Sequence, residues 1–149
     1  MNDIDVREIP TAELHSILAL VSRQNPTISA DRLGQRLELM ASQRYRCVGA
    51  YLEGKLVGVA GVWTGCKFYC GPYIEADNVI VDPAHRNHGI GQKLMDWIHT
   101  EGRRLGCSVA GLDSYVTFTD AHRFYERMGY VKIGYHFVLP LDKEEQIHK

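Results

Sequence analysis

Val79-Ile80-Val81-Asp82-Pro83-Ala84-His85-Arg86-Asn87-His88-Gly89-Ile90-Gly91-Gln92-Lys93-Leu94-Met95 is the stretch whose reading decides the fold. It reads as a strand, a tight loop and the start of a helix. The β-branched Val79, Ile80 and Val81 suit a buried strand. Pro83 has no N–H to give a ladder, so the strand stops there. Gly89 and Gly91 permit backbone conformations and close approaches that side chains block. From Ile90 the apolar residues Ile90, Leu94, Ile98 and Leu105 recur with a helical period. A helix that begins after a glycine-bearing loop presents unpaired N–H groups and a partial positive charge, which makes it an anion site. The junction therefore points to a phosphate-bearing ligand. Gly89-x-Gly91 alone carries little information; Arg86, the strand ahead and the helix behind give it meaning. The spacing is not the dinucleotide fingerprint Gly-x-Gly-x-x-Gly, and no Gly-Lys-Ser/Thr follows to make a P-loop.

The rest of the chain sets the frame. Its 149 residues suit one domain, expected to span residues 1–149 with a charged, frayed tail from about 142. Hydrophobic residues make up 45% and charged residues 23%, and the net charge of −1 gives no basic footprint for nucleic acid. The N-terminal Met-Asn-Asp-Ile-Asp is acidic and is no signal peptide, and the longest apolar run, Leu56 to Trp63, is too short to span a membrane. The expectation is a cytoplasmic protein with no membrane contact. Cys66 and Cys70 form a C-x3-C pair without a second pair, so they and Cys47 and Cys107 read as reduced thiols and no metal is expected. His85 and His88 flank the loop with no acidic or cysteine cluster and read as solvated or anion-facing.

Taken in order, Ile4 to Ile9 is a first strand, and Thr11 caps a helix striped by Leu14, Ile17, Leu18 and Val21. Asn25-Pro26 ends that helix. Ser29 caps the next, which carries Leu33, Leu37 and Met40 on one face. Cys47 to Leu52 and Lys55 to Trp63 form a hairpin about Glu53-Gly54, and Gly65 to Pro72 is a connection. Tyr73 to Val81 is a long strand. Glu75, Asp77, Val79 and Val81 share one of its faces unless a bulge intervenes. The helix from about Gly89 to Leu105 stops at Gly106. Cys107 to Leu112 is a strand, and Thr117 with Asp120 reads as a capping pair for a last helix carrying Ala121, Phe124, Tyr125 and Met128. Tyr130 to Leu139 is a final strand. The order β-α-α-β-β-β-α-β-α-β is that of an α/β (α+β) fold with a mixed sheet and helices on both faces.

Two pieces then coincide. Arg86-x-x-Gly89-x-Gly91 follows a Val-Ile-Val strand, and Ala121-His122-Arg123-Phe124-Tyr125-Glu126-Arg127-Met128-Gly129-Tyr130 follows about thirty residues on. Together, in this order of elements, they resemble the GNAT superfamily of acetyl-CoA-dependent N-acetyltransferases, and the resemblance covers nearly the whole chain. It implies an acyltransferase that uses acetyl-CoA as co-substrate. Arg86, Asn87, His88, Gly89, Ile90, Gly91 and Gln92 would cradle the pyrophosphate of coenzyme A. Val79, Ile80 and Val81, on a bulged strand, would line its pantetheine, opposite a second strand at about Ser108 to Asp113. Ser114 and Phe124 join the cofactor-binding set.

By the same resemblance Tyr125 is the general acid, donating to the leaving thiolate; read from its apolar face alone, it is a core aromatic. Glu75 and Asp77 are the candidate bases, since an alkylammonium must lose a proton before it can attack. Many relatives carry an Asn three residues before the helix alanine, where this chain has Phe118. Ser114, Thr117 and Thr119 are the candidates to replace it. The acceptor pocket would draw on about Gln24 to Arg46, on Lys67, Phe68 and Tyr69, and on Tyr135 and His136. The expected reaction is transfer to the primary amine of a small molecule by direct attack in a ternary complex, since no cysteine has partners for a covalent acetyl-enzyme. The alternatives are acetylation of a protein N-terminus or lysine, and a non-catalytic acyl-CoA sensor. Relatives are often dimers, which makes a homodimer an expectation.

Overall fold

A computed structural model describes residues 3–142. Five strands, β1 (Ile4–Glu8), β2 (Arg46–Leu52), β3 (Lys55–Lys67), β4 (Gly71–Val81) and β5 (Val109–Leu112), lie in one sheet in chain order. The pairings β1–β2, β2–β3 and β3–β4 are antiparallel. A 3-10 helix (Thr11–Ile17) runs into α1 (Leu18–Gln24), followed by α2 (Ala30–Ser42), α3 (Ile90–Arg104) and α4 (Thr119–Arg127). The tail expected to fray beyond Asp142 lies outside the described residues.

The chain divides into two compact units, one ending at Gly111 and one beginning at Leu112. In the first, the sheet is covered on both faces, as its alternation requires. Ile9, Leu14, Ile17, Leu20 and Leu37 pack with Tyr45, Cys47, Val59 and Ile80 on one face. On the other, α3 buries Ile90, Leu94, Met95 and Ile98, each 2% exposed or less. Burial of each such side chain is worth roughly 1.5–3 kcal/mol, so this one stripe fixes where α3 begins and hence where the loop before it ends.

The helix caps came out differently. Ser29 caps α2, its Oγ accepting from Arg32 N at 3.2 Å. Thr11 is not a cap: Pro10 O accepts from Glu13 N at 2.8 Å, so the turn tightens into a 3-10 helix one residue earlier. Nor do Thr117 and Asp120 cap α4, which starts from Phe118 with no side-chain cap; Asp120 pairs with Arg123 instead.

Strand limits also moved. Most of the expected Gly65–Pro72 connection is strand, because β3 and β4 pair down to Lys67 and Gly71 around a tight turn at Phe68–Cys70. The expected final strand over Tyr130–Leu139 is not formed. That segment has the apolar alternation of a strand, but a strand exists only against a neighbouring edge, and no ladder among the described residues includes it.

Candidate active site

The loop of the opening stretch is built from β4 outward. Asp82 N donates to Val57 O at 2.8 Å, tying the strand end to β3. The Asp82 carboxylate then turns the chain: Oδ1 accepts from Ala84 N at 3.0 Å, and His85 N donates to Asp82 O at 2.8 Å, closing a short 3-10 turn over Pro83–His85. The Ala84 N–H bond, then Arg23 at 3.4 Å, hold this carboxyl below its ordinary range. The carboxyl therefore stays charged and the turn stays shut.

Beyond it Arg86, Asn87, His88 and Gly89 are exposed. Asn87 and Gly89 both take positive φ, 65° and 74°. Gly89 is the N-cap of α3 in the left-handed region, with open space where a side chain would stand. Its carbonyl takes the helical bond from Lys93 N at 3.1 Å. The amides of Ile90, Gly91 and Gln92 thus head the helix with no helical carbonyl before them. Ile90, 2% exposed, anchors this turn in the core. An exposed anion-accepting loop stands on a buried foot.

Upstream, β4 is broken by a bulge. Val59 pairs with Ile80 but Gly61 pairs with Asp77, so Asn78 and Val79 together oppose Ala60. Asn78 sits at φ 40°, in the left-handed region. The four-residue face of Glu75, Asp77, Val79 and Val81 is therefore corrected: the extra residue changes the phase after Asp77. Glu75 and Asp77 stay together on the face of Trp63 and Gly61, and Ile80 rather than Val79 enters the core on that side.

Asp77 is half-buried, and its Oδ2 accepts from Trp63 Nε1 at 3.0 Å. The indole in turn packs on Tyr45, with ring centroids 5.1 Å apart. Tyr45 Oη donates to Asn78 Oδ1 at 2.9 Å, leaving the buried Asn78 Nδ2 without a hydrogen-bond partner. Burial pushes the Tyr45 phenol well above its ordinary pKa, so it holds its proton and serves as the donor. Sequence reading found the two carboxylates but missed Tyr45, Trp63 and Asn78. The available signal was an Asn among β-branched residues, a residue type that tolerates left-handed φ.

The second unit holds Ser114, Phe124 and Tyr125. Tyr125 lies on α4 with its ring 5.2 Å from that of Phe124 and 5.9 Å, edge-on, from that of Tyr130. Burial raises the Tyr125 phenol, and burial followed by the Tyr125 charge pushes Tyr130 up to about 12. Phe118, at the departure from the family pattern, packs edge-on against Tyr115 at 5.2 Å. Among the acceptor-end candidates, Phe68, Tyr69 and Tyr135 are exposed, and His136 Nδ1 lies 3.4 Å from Asp113.

These features converge on one class, the acetyltransferases that bind coenzyme A at a strand–loop–helix junction. Residues 43–132 match the model of the acetyltransferase (GNAT) domain, and the chain belongs to that family. It is an acyltransferase, and acetyl-CoA is its donor. Over 142 residues it is 28% identical to an aminoalkylphosphonate N-acetyltransferase of Salmonella typhimurium, covering 92% of this chain and 91% of that protein. Its fold matches an aminoglycoside N-acetyltransferase crystallised with coenzyme A, with TM-score 0.82, 16% identity, and 94% and 95% of the two chains covered. It also matches a ribosomal-protein-alanine N-acetyltransferase of Brucella melitensis, with TM-score 0.79, 18% identity, and 94% and 100% covered. No group of side chains suited to a metal ion occurs among the described residues, and no helix there is long and apolar enough to cross a membrane.

Proposed function

We propose that the chain acetylates the primary amine of a small molecule by direct attack in a ternary complex with acetyl-CoA. The observation that carries this reading is the pair Glu75 and Asp77, set side by side on β4 just before its bulge, with the anion-accepting loop following on the same strand. The loop from Arg86 to Gln92 holds the pyrophosphate. Its exposure, the open space at Gly89 and the unpaired first-turn amides fit that ligand. Val79, Ile80 and Val81 line the pantetheine.

Asp77 or Glu75 takes a proton from the acceptor ammonium, freeing the lone pair. The nitrogen attacks the thioester carbon, an N–C bond forms, the C–S bond breaks, and the electron pair leaves on sulfur. Tyr125 protonates that thiolate; a thiol's ordinary pKa near 8.5 lies below a phenol's near 10, so the donor still holds its proton when it is needed. The ammonium gives up two protons in all: one ends on the coenzyme A thiol and the other in solvent.

The relative that acetylates aminoalkylphosphonates directs the choice of acceptors. The test is thiol release from acetyl-CoA with (aminomethyl)phosphonate, an aminoglycoside panel and lysine-bearing or N-terminal peptides. Turnover with free amines supports the reading. Turnover with peptides alone replaces it with a protein acetyltransferase, and tight acetyl-CoA binding without turnover replaces it with a sensor. We also read the chain as a cytoplasmic homodimer. Its four free cysteines suit a reducing compartment, and the alternating apolar segment after Tyr130 suits a subunit contact.

A further inference from the structure

We propose that Trp63 is a positioning residue for acetyl transfer: its indole N–H fixes Oδ2 of Asp77 so that Oδ1 meets the acceptor amine. The inference rests on the reading of Asp77 as the proton acceptor and adds the group that aims it.

The geometry has three parts. Trp63 and Asp77 lie diagonally across the β3–β4 ladder, since Trp63 pairs with Glu75 and Gly61 with Asp77, and the Nε1–Oδ2 bond of 3.0 Å spans that diagonal. Gly61 keeps the space between them open. A Cβ there would lie 2.4 Å from Tyr45 Oη and 2.5 Å from Asn78 Oδ1, so any side chain would displace the cluster. The indole is itself held, packed at a tilt of 53° against the buried Tyr45, whose hydroxyl secures Asn78 at the bulge. A carboxylate on a strand can turn about two bonds; here one oxygen is bound by a donor that cannot follow it. Both Trp63 and Asp77 are only half-buried, which leaves the pair within reach of a ligand.

The surroundings explain why a neutral donor does this work. The other titratable groups on that face are Glu75, Tyr73, Tyr45, Cys47 and Lys67; burial pushes the Cys47 thiol up to about 12, and the Lys67 ammonium lies 5.3 Å over the Tyr73 ring, two ladder pairs away from Trp63. The helical elements packed there bring Leu14, Ile17, Leu20 and Leu37, all apolar. A cation at the position of Trp63 would neutralise the carboxylate that must accept a proton. An indole N–H orients it without taking its charge.

The test compares pH profiles of kcat/KM for the parent, Trp63→Phe, Asp77→Asn and the double variant, with (aminomethyl)phosphonate or the best amine of the panel as acceptor. Trp63→Phe keeps an aromatic ring against Tyr45 and removes only the donor; Trp63→Tyr serves if it does not fold. The expected results are about a tenfold loss in kcat, an acidic limb moved to higher pH, and an unchanged KM for acetyl-CoA. In the Asp77→Asn background the Trp63 change should add little. A second readout needs no turnover. With Trp97→Phe, Trp63 is the remaining tryptophan of the two in the chain, and its emission should show a titration step that Asp77→Asn abolishes. If Asp77→Asn leaves the pH profile intact, Asp77 is not the base. If Asp77→Asn removes the acidic limb while Trp63→Phe leaves limb and kcat unmoved, the base reading stands and the positioning role is overturned.

Discussion

A phenol can protonate a leaving thiolate only if it still holds its proton when the thiolate forms. Burial among Phe124 and Tyr130 raises Tyr125, which keeps it protonated through the working pH range. Tyr125→Phe keeps the ring and removes the proton. The expected outcome is a fall in kcat of about 100-fold, with acetyl-CoA binding, read by calorimetry, unchanged; equal turnover would remove Tyr125 from the mechanism. Glu101 is a contrasting case, a charge kept for stability. It is 7% exposed on α3 and accepts from Arg104 Nε at 2.6 Å and Nη2 at 2.9 Å, and from Arg46. Arg104 above all, then Arg46, hold its carboxyl at about 2 against the opposing push of burial. The unfolded carboxyl titrates near 4.3. The stabilisation is therefore fully present above that pH and is lost as pH falls from there toward 2. Glu101→Gln should cost about 2 kcal/mol at pH 7, and the Tm gap from the parent should close progressively between about pH 5 and pH 2.

At the scale of the element, the junction before α3 was legible because three kinds of signal agree there. Val79–Val81 favour a strand, Pro83 stops it, and the period from Ile90 demands a helix. Gly89, at φ 74°, turned out to be where the backbone needs a glycine. Gly89→Val should strain the loop through conformation, since nothing stands near its missing side chain. The expected result is at least a tenfold weaker Kd for coenzyme A; a Kd within twofold of the parent would show that these amides do not carry the pyrophosphate. The bulge was not legible in position. Its register depends on Tyr45, just before β2, and on Gly61 of β3, and no local period reports such partners. The same holds for the caps: Ser29 was readable because its bond is local, whereas the start of α4 involves Tyr115 and Phe118 through ring packing. Ser29→Ala should lower stability by about 1 kcal/mol in urea unfolding.

For the whole molecule, the order of elements from β1 to α4 could be read from periodicity, most plainly at α2 and α3, each of which buries one stripe. The last segment shows where that logic stops. Val131, Ile133, Tyr135, Phe137 and Leu139 alternate as a strand should, yet each is at least 77% exposed. Alternation in a sequence says that a segment wants a sheet edge and an apolar cover; it does not say which chain supplies them. Apolar side chains exposed in a row are uncommon on a monomer and mark contact surfaces, which is the ground for reading the chain as a homodimer. Light scattering on a gel-filtered sample should then give a mass near twice the 16.9 kDa of one chain, falling toward that value on dilution. Phe137→Asp places a charge in the middle of the alternation and should shift the equilibrium to monomer. A parent protein that stays at the single-chain mass at high concentration would overturn the dimer.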